Sequence, residues 1–163
     1  MKLLRCGNIG KEKPAALDKS GKIRDISSYI DDFNPENINF LNLEKLKKID
    51  LEELPEISNS TRVGSCITKP SKFIGIGLNF SDHAAEIGAE IPKEPIVFMK
   101  ASSCISGPYD DVIIPQGSQK CDWEIEIGFV IGKKAKNISE AEAENYIFGY
   151  CIVNDISERE WQL

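Results

Sequence analysis

The chain has 163 residues, of which 41% are hydrophobic and 28% are charged, so it is long enough for one ordinary globular core. Its 20 Lys and Arg against 26 Asp and Glu give a net charge of −6, and without a basic cluster this balance argues against nucleic-acid and anionic-membrane partners. Five widely spaced cysteines without a C-x-x-C pair are typical of reduced thiols. Because neither a secretory h-region nor a transmembrane-length apolar run occurs, we predict a cytoplasmic protein.

Residues 1–61 are predicted to form a small N-terminal domain that begins with antiparallel strands. The stretch Met1–Cys6 is typical of a strand. Segments 14–17 and 22–25 flank the turn-forming run Asp18–Gly21, and this arrangement predicts a β-hairpin.

The rest of this domain is predicted to contain one helix and a linker. Apolar residues recur at helical spacing over residues 42–49, which indicates an amphipathic helix. Residues 51–60 are interpreted as a linker, since Pro55 would break a helix and a Ser-Asn-Ser run follows it. Nothing in this domain indicates chemistry, so we interpret it as a lid, brace or packing module.

Residues 62–163 are predicted to form part of a second domain that is predominantly β, in the α+β class. Short apolar runs between turn residues predict strands over 72–77, 95–100, 112–115, 123–131 and 147–155, and the first of them is expected to be buried. Short helices are predicted over 79–86 and 139–146, the second from a capping box that Ser139 opens. Strands joined by such short helices argue against a doubly wound parallel sheet.

Three carboxylates in the second domain form a candidate metal site. Glu124 and Glu126 lie two residues apart on a predicted strand, so their side chains share one face. Trp123, Ile125 and Ile127 take the other face, where we expect a core to bury them. Asp155 ends a second strand whose apolar sequence indicates burial, and a buried carboxylate needs a cation or hydrogen-bond donors. Oxygen ligands of this kind suit Mg²⁺ or Mn²⁺. The alternative is that Glu124 and Glu126 only solvate the exposed face of a sheet.

Four further residues are candidates for acid–base chemistry or for binding an anion. His83, the only histidine, has Glu86 three residues later on the same helical face, where a carboxylate could orient the imidazole as a general base. Lys100 and Arg159 could neutralise an anionic substrate. The alternatives are a surface histidine near a helix start and two surface charges.

Four motifs follow one another in the second domain: Ile76–Glu86 (IGLNFSDHAAE), Pro95–Lys100 (PIVFMK), Asp122–Glu126 (DWEIE) and Asn154–Arg159 (NDISER). In this order they resemble the fumarylacetoacetate hydrolase family. The resemblance covers about residues 62–163. The start of the chain looks like the small N-terminal domain of one bacterial branch, which contains 2,4-diketo-3-deoxy-sugar-acid hydrolases and proteins named ureidoglycolate lyase.

The resemblance implies a mixed β-roll fold, a homodimer, and a role for each candidate residue. It implies that Glu124, Glu126 and Asp155 hold Mg²⁺ or Mn²⁺. His83 and Glu86 would activate water, and the resemblance places Arg159 near the substrate carboxylate. Because family members continue well past Leu163, it also implies an N-terminal portion of a larger enzyme, with a β-roll that is incomplete at its C-terminus.

The activity that the resemblance implies is hydrolysis of a carbon–carbon bond in a small-molecule 2-oxo or 2,4-dioxo acid. Alternatives on the same metal site are a ureidoglycolate lyase and a 2-oxo acid isomerase or decarboxylase. An alternative without catalysis is an inactive fragment or packing module, in which the carboxylates are only solvated.

Overall fold

The computed structural model describes residues 1–162, and their contacts divide the chain into two units. One unit joins Met1–Thr68 with the chain from Gly107 onward, and the other is Lys69–Ser106. The predicted division at residue 61 stays a prediction, because contact grouping does not report which parts fold on their own.

Strands predominate over short helices in the described residues, which confirms the α+β class. The strands, numbered along the chain, are β1 Lys2–Cys6, β2 Lys13–Leu17, β3 Ile23–Asp25, β4 Glu56–Ile57, β5 Phe73–Gly77, β6 Ile96–Lys100, β7 Cys121–Asp122, β8 Ile125–Ile131, β9 Ile147–Asn154 and β10 Ser157–Glu158. The helices are α1 Phe40–Leu46 and α2 Ser81–Glu86, with 3₁₀ turns at Leu51–Glu53, Ser102–Cys104 and Glu140–Tyr146. Within residues 1–162, no helix has the length and apolarity needed to cross a bilayer.

An antiparallel sheet in the order β1-β2-β3-β4 begins the first unit. The predicted first strand and the hairpin around Asp18–Gly21 are confirmed by the pairing of β1 with β2 and of β2 with β3. The linker prediction is wrong for β4, which pairs with β3 through Ile23 and Ile57. A local sequence window could not show this, because β4 is only two residues long and its partner lies far back in the chain.

The main core of the first unit lies between this sheet and α1. Asn39 caps α1 by accepting a hydrogen bond from the Asn42 N–H (2.9 Å), so the helix begins before the predicted residue 42. The helix delivers Leu46 to the core, and burial of such apolar side chains stabilises the fold. The buried members of this core are Ala16, Ile26, Ile30, Phe33 and Leu46.

Asp18 is a buried carboxylate at the hairpin turn. One of its oxygens accepts hydrogen bonds from the Ser20 hydroxyl (2.7 Å) and from the Lys22 N–H (3.0 Å), and the other accepts one from Arg24 Nε (2.7 Å). The Ser20 hydroxyl contributes most, and together these donors hold the pKa of Asp18 well below its usual range.

Replacing Asp18 with asparagine is expected to lower the melting temperature by several degrees at pH 7. A carboxylate whose pKa is lower in the folded chain contributes stability above its unfolded pKa, about 3.9, and loses it as the pH falls toward the folded pKa. The gap between wild type and Asp18→Asn should therefore be constant above about pH 5 and should shrink below about pH 4. Thermal denaturation across this range, with the exposed Asp31→Asn variant as control, tests this. A gap that is independent of pH would contradict it.

The C-terminal part of the first unit consists of two antiparallel pairs, β7 with β10 and β8 with β9. The predicted strand over 147–155 is confirmed as β9. The predicted capping box is also present, since the Ser139 backbone N–H donates to Glu142 Oε2 at 3.1 Å, although the turn it begins is 3₁₀. The strand prediction over 112–115 is wrong, and an apolar run without a pairing partner does not form a ladder.

One face of the β8–β9 pair is apolar and exposed, contrary to the sequence-based expectation. Residues on β8 and β9 alternate as predicted, but Trp123, Ile125 and Ile127 are 69%, 67% and 68% exposed. On β9, Tyr150 and Ile152 are exposed as well, so the prediction that this strand is buried on both faces is wrong. Glu126, Gly128 and the other residues of the opposite face are half-buried. The alternation shows that two faces differ but does not show which one is covered.

The second unit is a β5–β6 antiparallel pair with α2 between its strands. The register runs from Phe73 opposite Lys100 to Gly77 opposite Ile96, which confirms the strands predicted over 72–77 and 95–100. The expectation that the first of these is buried is wrong, since Ile74 and Ile76 are exposed. Helix α2 forms where predicted, but Phe80 precedes it and offers no side-chain cap.

Candidate metal centre

Glu124 and Asp155 are held side by side by their backbones. The Asp155 N–H donates to the Glu124 carbonyl oxygen at 2.8 Å, and the Glu124 N–H donates to the Asn154 side-chain oxygen at 3.1 Å. Glu124 lies between β7 and β8 rather than within one continuous strand, so the strand predicted over 123–131 is interrupted there. The backbones of two acidic residues from distant parts of the sequence are thus fixed next to each other.

Glu126 lies on β8, opposite Val153 of β9. Glu124, Glu126 and Asp155 are all half-buried, whereas Ile125 between the two glutamates is exposed. The alternation expected for Glu124 and Glu126 is therefore present.

Arg159 forms ion pairs with two of the nearby acids. Its Nε and Nη2 atoms donate to Asp122 Oδ2 at 3.1 and 2.8 Å, and its Nη1 atom pairs with Glu124 Oε1. The pairing of β7 with β10 sets this geometry, since Asp122 stands opposite Ser157. The Arg159 guanidinium, followed by the Trp123 N–H, holds the pKa of Asp122 below its usual range, and Asp122 in turn raises the pKa of Arg159.

The three carboxylates do not form a closed set of metal ligands. Across residues 1–162, no group of three or more His, Cys, Asp or Glu side chains is arranged to hold a metal ion. The donor set still suits a hard divalent cation, because all three side chains offer carboxylate oxygens from adjoining backbone segments. One of them, Glu124, has its charge compensated by Arg159. The assignment of all three as metal ligands stays a prediction.

Replacing Arg159 with glutamine is expected to tighten Mn²⁺ binding by about two- to fivefold, the range of a partly exposed ion pair. The physical reason is that the guanidinium competes with the cation for the Glu124 carboxylate. Calorimetric titration of both proteins measures the change. Lys120→Gln is the matched control, because it removes a nearby positive charge that pairs with Glu160 at 2.7 Å. Unchanged or weaker Mn²⁺ binding in Arg159→Gln would contradict the competition.

The predicted acid–base pair lies on α2 in the second unit. His83 Nδ1 is 3.7 Å from Glu86 Oε2, and both side chains are exposed. This separation is an ion-pair distance rather than a hydrogen bond. Lys100 ends β6 and is half-buried. The pairing of His83 with Glu86 on one helical face is therefore present, and their roles and that of Lys100 stay predictions.

Two residues of this region were missed by the sequence-based predictions. Asp122 holds Arg159, and the Asn154 side chain accepts the Glu124 N–H. The only signal for Asn154 is its position before Asp155 at the end of an apolar strand. Asp122 begins the DWEIE motif, but the motif gave no signal for its contact with Arg159, because that contact depends on the pairing of β7 with β10.

Comparison with known proteins identifies the family of this chain. The profile described as "Fumarylacetoacetate (FAA) hydrolase C-terminal" matches residues 72–163. The chain belongs to the fumarylacetoacetate hydrolase family. A Burkholderia cenocepacia protein named as a candidate hydrolase is 53% identical over 163 residues, which are all of this chain and 58% of that protein. The chain thus spans less than two thirds of the curated relatives that it matches.

Solved structures share the fold of this family member. A fumarylacetoacetate hydrolase from Exiguobacterium antarcticum matches with a TM-score of 0.77 and 25% identity, over 99% of this chain and 58% of the other. A maleylpyruvate hydrolase from Sphingobium sp. SYK-6, solved with manganese(II) and pyruvate, matches with a TM-score of 0.79 and 21% identity, over 98% of this chain and 60% of the other. The fold predicted from the four sequence motifs is thereby confirmed.

Proposed function

We propose that the protein to which this chain corresponds is a divalent-metal-dependent hydrolase that cleaves a carbon–carbon bond in a 2,4-dioxo acid. The observation that carries the proposal is the backbone hydrogen bond of 2.8 Å that sets Asp155 beside Glu124, within the residues that match the family. It supports the proposal because it sets next to each other the backbones of two of the three residues whose carboxylates the metal would need.

The metal would be held by Glu124, Glu126 and Asp155, and Mg²⁺ and Mn²⁺ are the candidates. Carboxylate oxygens suit both ions, and a fold neighbour is solved with manganese(II) and pyruvate, itself a 2-oxo acid. When bound, such an ion would polarise a 2-oxo acid and stabilise developing enolate charge. Arg159, which pairs with one oxygen of Glu124, would compete with the ion for this carboxylate.

The remaining polar residues would bind the substrate and move a proton. His83, oriented by Glu86, would take a proton at an imidazole nitrogen from the water that attacks the distant carbonyl. Arg159 would neutralise a substrate carboxylate through its guanidinium, and Asp122 would hold that guanidinium in place. Lys100 would add a second positive charge for an anionic substrate.

The proposal also covers the localisation, the oligomeric state and the partners of the protein. We propose a cytoplasmic homodimer that binds a small-molecule acid, with neither nucleic acid nor membrane as a partner. The net charge of −6 supports the proposal that nucleic acids and membranes are not partners, because a negatively charged protein is not attracted to polyanionic surfaces.

The proposed reaction is tested by a substrate panel. The chain is incubated with Mg²⁺ or Mn²⁺ and with 2,4-dioxo acids, ureidoglycolate or oxaloacetate, and products are quantified against the Glu124→Gln variant. We expect wild type to cleave at least one 2,4-dioxo acid more than about 100-fold faster than the variant. Exclusive turnover of ureidoglycolate would favour the lyase instead. If wild type consumes no acid faster than Glu124→Gln, the chain is not a catalyst on its own and the packing module is favoured.

A further inference from the structure

The β8–β9 pair presents a continuous apolar face to solvent. In its register, Ile127 stands opposite Ile152 and Phe129 stands opposite Tyr150, and directly opposed residues lie on the same side of an antiparallel pair. Residues two apart along one strand share that side as well. This apolar β8–β9 face consists of six residues that are 52–81% exposed: Ile125, Ile127, Phe129, Ile131, Tyr150 and Ile152.

The area of this face matches one side of a stable protein interface. Large side chains of this kind bury about 150–250 Å² each when they are fully covered, so the six residues present roughly 800 Å² at their observed exposures. The largest apolar patch on a typical monomer is about 300–600 Å². A standard interface buries about 800 Å² on each partner. The face is therefore larger than a monomer usually leaves uncovered, and it is large enough for a stable dimer.

The face has no charged side chain with which to select a charged partner. Within β8 and β9, the exposed positions hold only apolar residues, Tyr150 and Asn154, whereas Glu126 lies on the opposite, half-buried face. Nucleic acids and charged peptides would find no opposite charge there. A second copy of this chain would meet the face without placing like charges in the contact, although each chain has a net charge of −6. An identical apolar face is thus the partner whose chemistry fits.

We propose that two copies of this chain form a dimer by packing their apolar β8–β9 faces against each other around a two-fold axis. The two strand pairs lie about 10 Å apart, as packed sheets do. Because a two-fold contact uses the same face of both chains, association ends at two copies. The inference rests on the homodimer of the proposed function and gives its interface, and it depends on neither the metal nor the reaction.

The test is the mass of the chain in solution, measured by sedimentation equilibrium from about 1 to 100 µM, since interfaces of this size have dissociation constants of micromolar or lower. We expect twice the chain mass of 18.2 kDa at the upper concentrations. Ile152→Lys should raise the dissociation constant at least about 100-fold, because it buries an unpaired ammonium group in an apolar contact. The matched control is Ile113→Lys, since Ile113 is 88% exposed and lies outside β8 and β9. It should dimerise as wild type does, and circular dichroism checks that both variants are folded.

Tryptophan fluorescence reports whether the face itself is covered. Trp123 lies two residues before Ile125 and is 69% exposed. The chain has one other tryptophan, and Trp161→Phe removes its signal. As the concentration of this variant rises through the dimerisation range, we expect the emission of Trp123 to shift to shorter wavelengths. Adding Ile152→Lys to it should abolish the shift.

Three outcomes would overturn the proposal. A monomer at about 100 µM with unshifted Trp123 emission would assign the face to the further length of the relatives, one of which this chain matches over only 58%. Species larger than a dimer, or equal dissociation of Ile113→Lys and Ile152→Lys, would show non-specific apolar association. An emission shift that requires vesicles of neutral phosphatidylcholine would make a lipid surface the occupant.

Calorimetric titration with Mn²⁺ keeps a failure of this proposal distinct from a failure of the proposed function. Ile152→Lys changes none of the three candidate ligands, so it should bind Mn²⁺ as wild type does while it fails to dimerise. A wild-type chain that dimerises through this face but does not bind Mn²⁺ would contradict the proposed metal site alone.

Discussion

Glu124→Gln is expected to weaken Mn²⁺ binding to this chain by more than about 100-fold, since even changes outside the ligand set cost metal sites 10–100-fold. Glutamine keeps the shape of the side chain but removes the negative charge that a divalent cation requires. The backbone contact of Glu124 with Asp155 should survive, because it uses the carbonyl oxygen of residue 124 and not the side chain. Calorimetric titration with Mn²⁺ measures the loss.

The control for this prediction is Glu140→Gln, which removes one negative charge from an exposed position of the Glu140–Tyr146 turn. It should bind Mn²⁺ as wild type does. If Glu124→Gln and Glu140→Gln bind Mn²⁺ with equal affinity, the heat measured in the titration comes from adventitious binding to an acidic surface. The carboxylates of the candidate site would then only solvate the sheet.

Phe33→Ala is expected to destabilise the chain by about 3–5 kcal/mol, the usual cost of removing a large buried aromatic side chain. Phe33 is only 1% exposed and belongs to the main core with Ile26 and Leu46. Since ordinary domains are stable by only about 5–15 kcal/mol, the loss is a large part of the total. Urea denaturation followed by circular dichroism measures it.

Tyr29→Ala serves as the control, because Tyr29 is near in sequence, is aromatic and is 58% exposed. It should change the stability by no more than about 0.5 kcal/mol. Should Phe33→Ala fail to fold, Phe33→Leu is expected to cost about 1–2 kcal/mol and to keep a measurable transition. Equal changes in the free energy of unfolding for Phe33→Leu and Tyr29→Ala would contradict the assignment of Phe33 to the main core.

Local signals in the sequence predicted the elements well. The turn at Asp18–Gly21, the capping box at Ser139 and the alternation around Glu126 all involve residues within a few positions of each other. Such features depend on backbone preferences and pleat geometry, which a short window contains. The family resemblance came from the same kind of signal, four short motifs in a fixed order.

Features that depend on long-range pairing were not predicted. The sequence does not show that β4 completes the first sheet or that Asp122 meets Arg159 across the β7–β10 pair. The prediction that a core covers the face of β8 with Ile125 and Ile127 was also wrong, since both side chains are exposed. Each of these outcomes is decided by which segments pack together, which the local pattern leaves open.

The central claim is that Glu124, Glu126 and Asp155 bind one divalent ion, and anomalous X-ray scattering from crystals grown with Mn²⁺ tests it most directly. We expect a single strong peak within about 2.5 Å of one carboxylate oxygen from each residue, with Arg159 turned away from Glu124. Mn²⁺ bound only to other acids, with Arg159 still paired to Glu124, would contradict the claim.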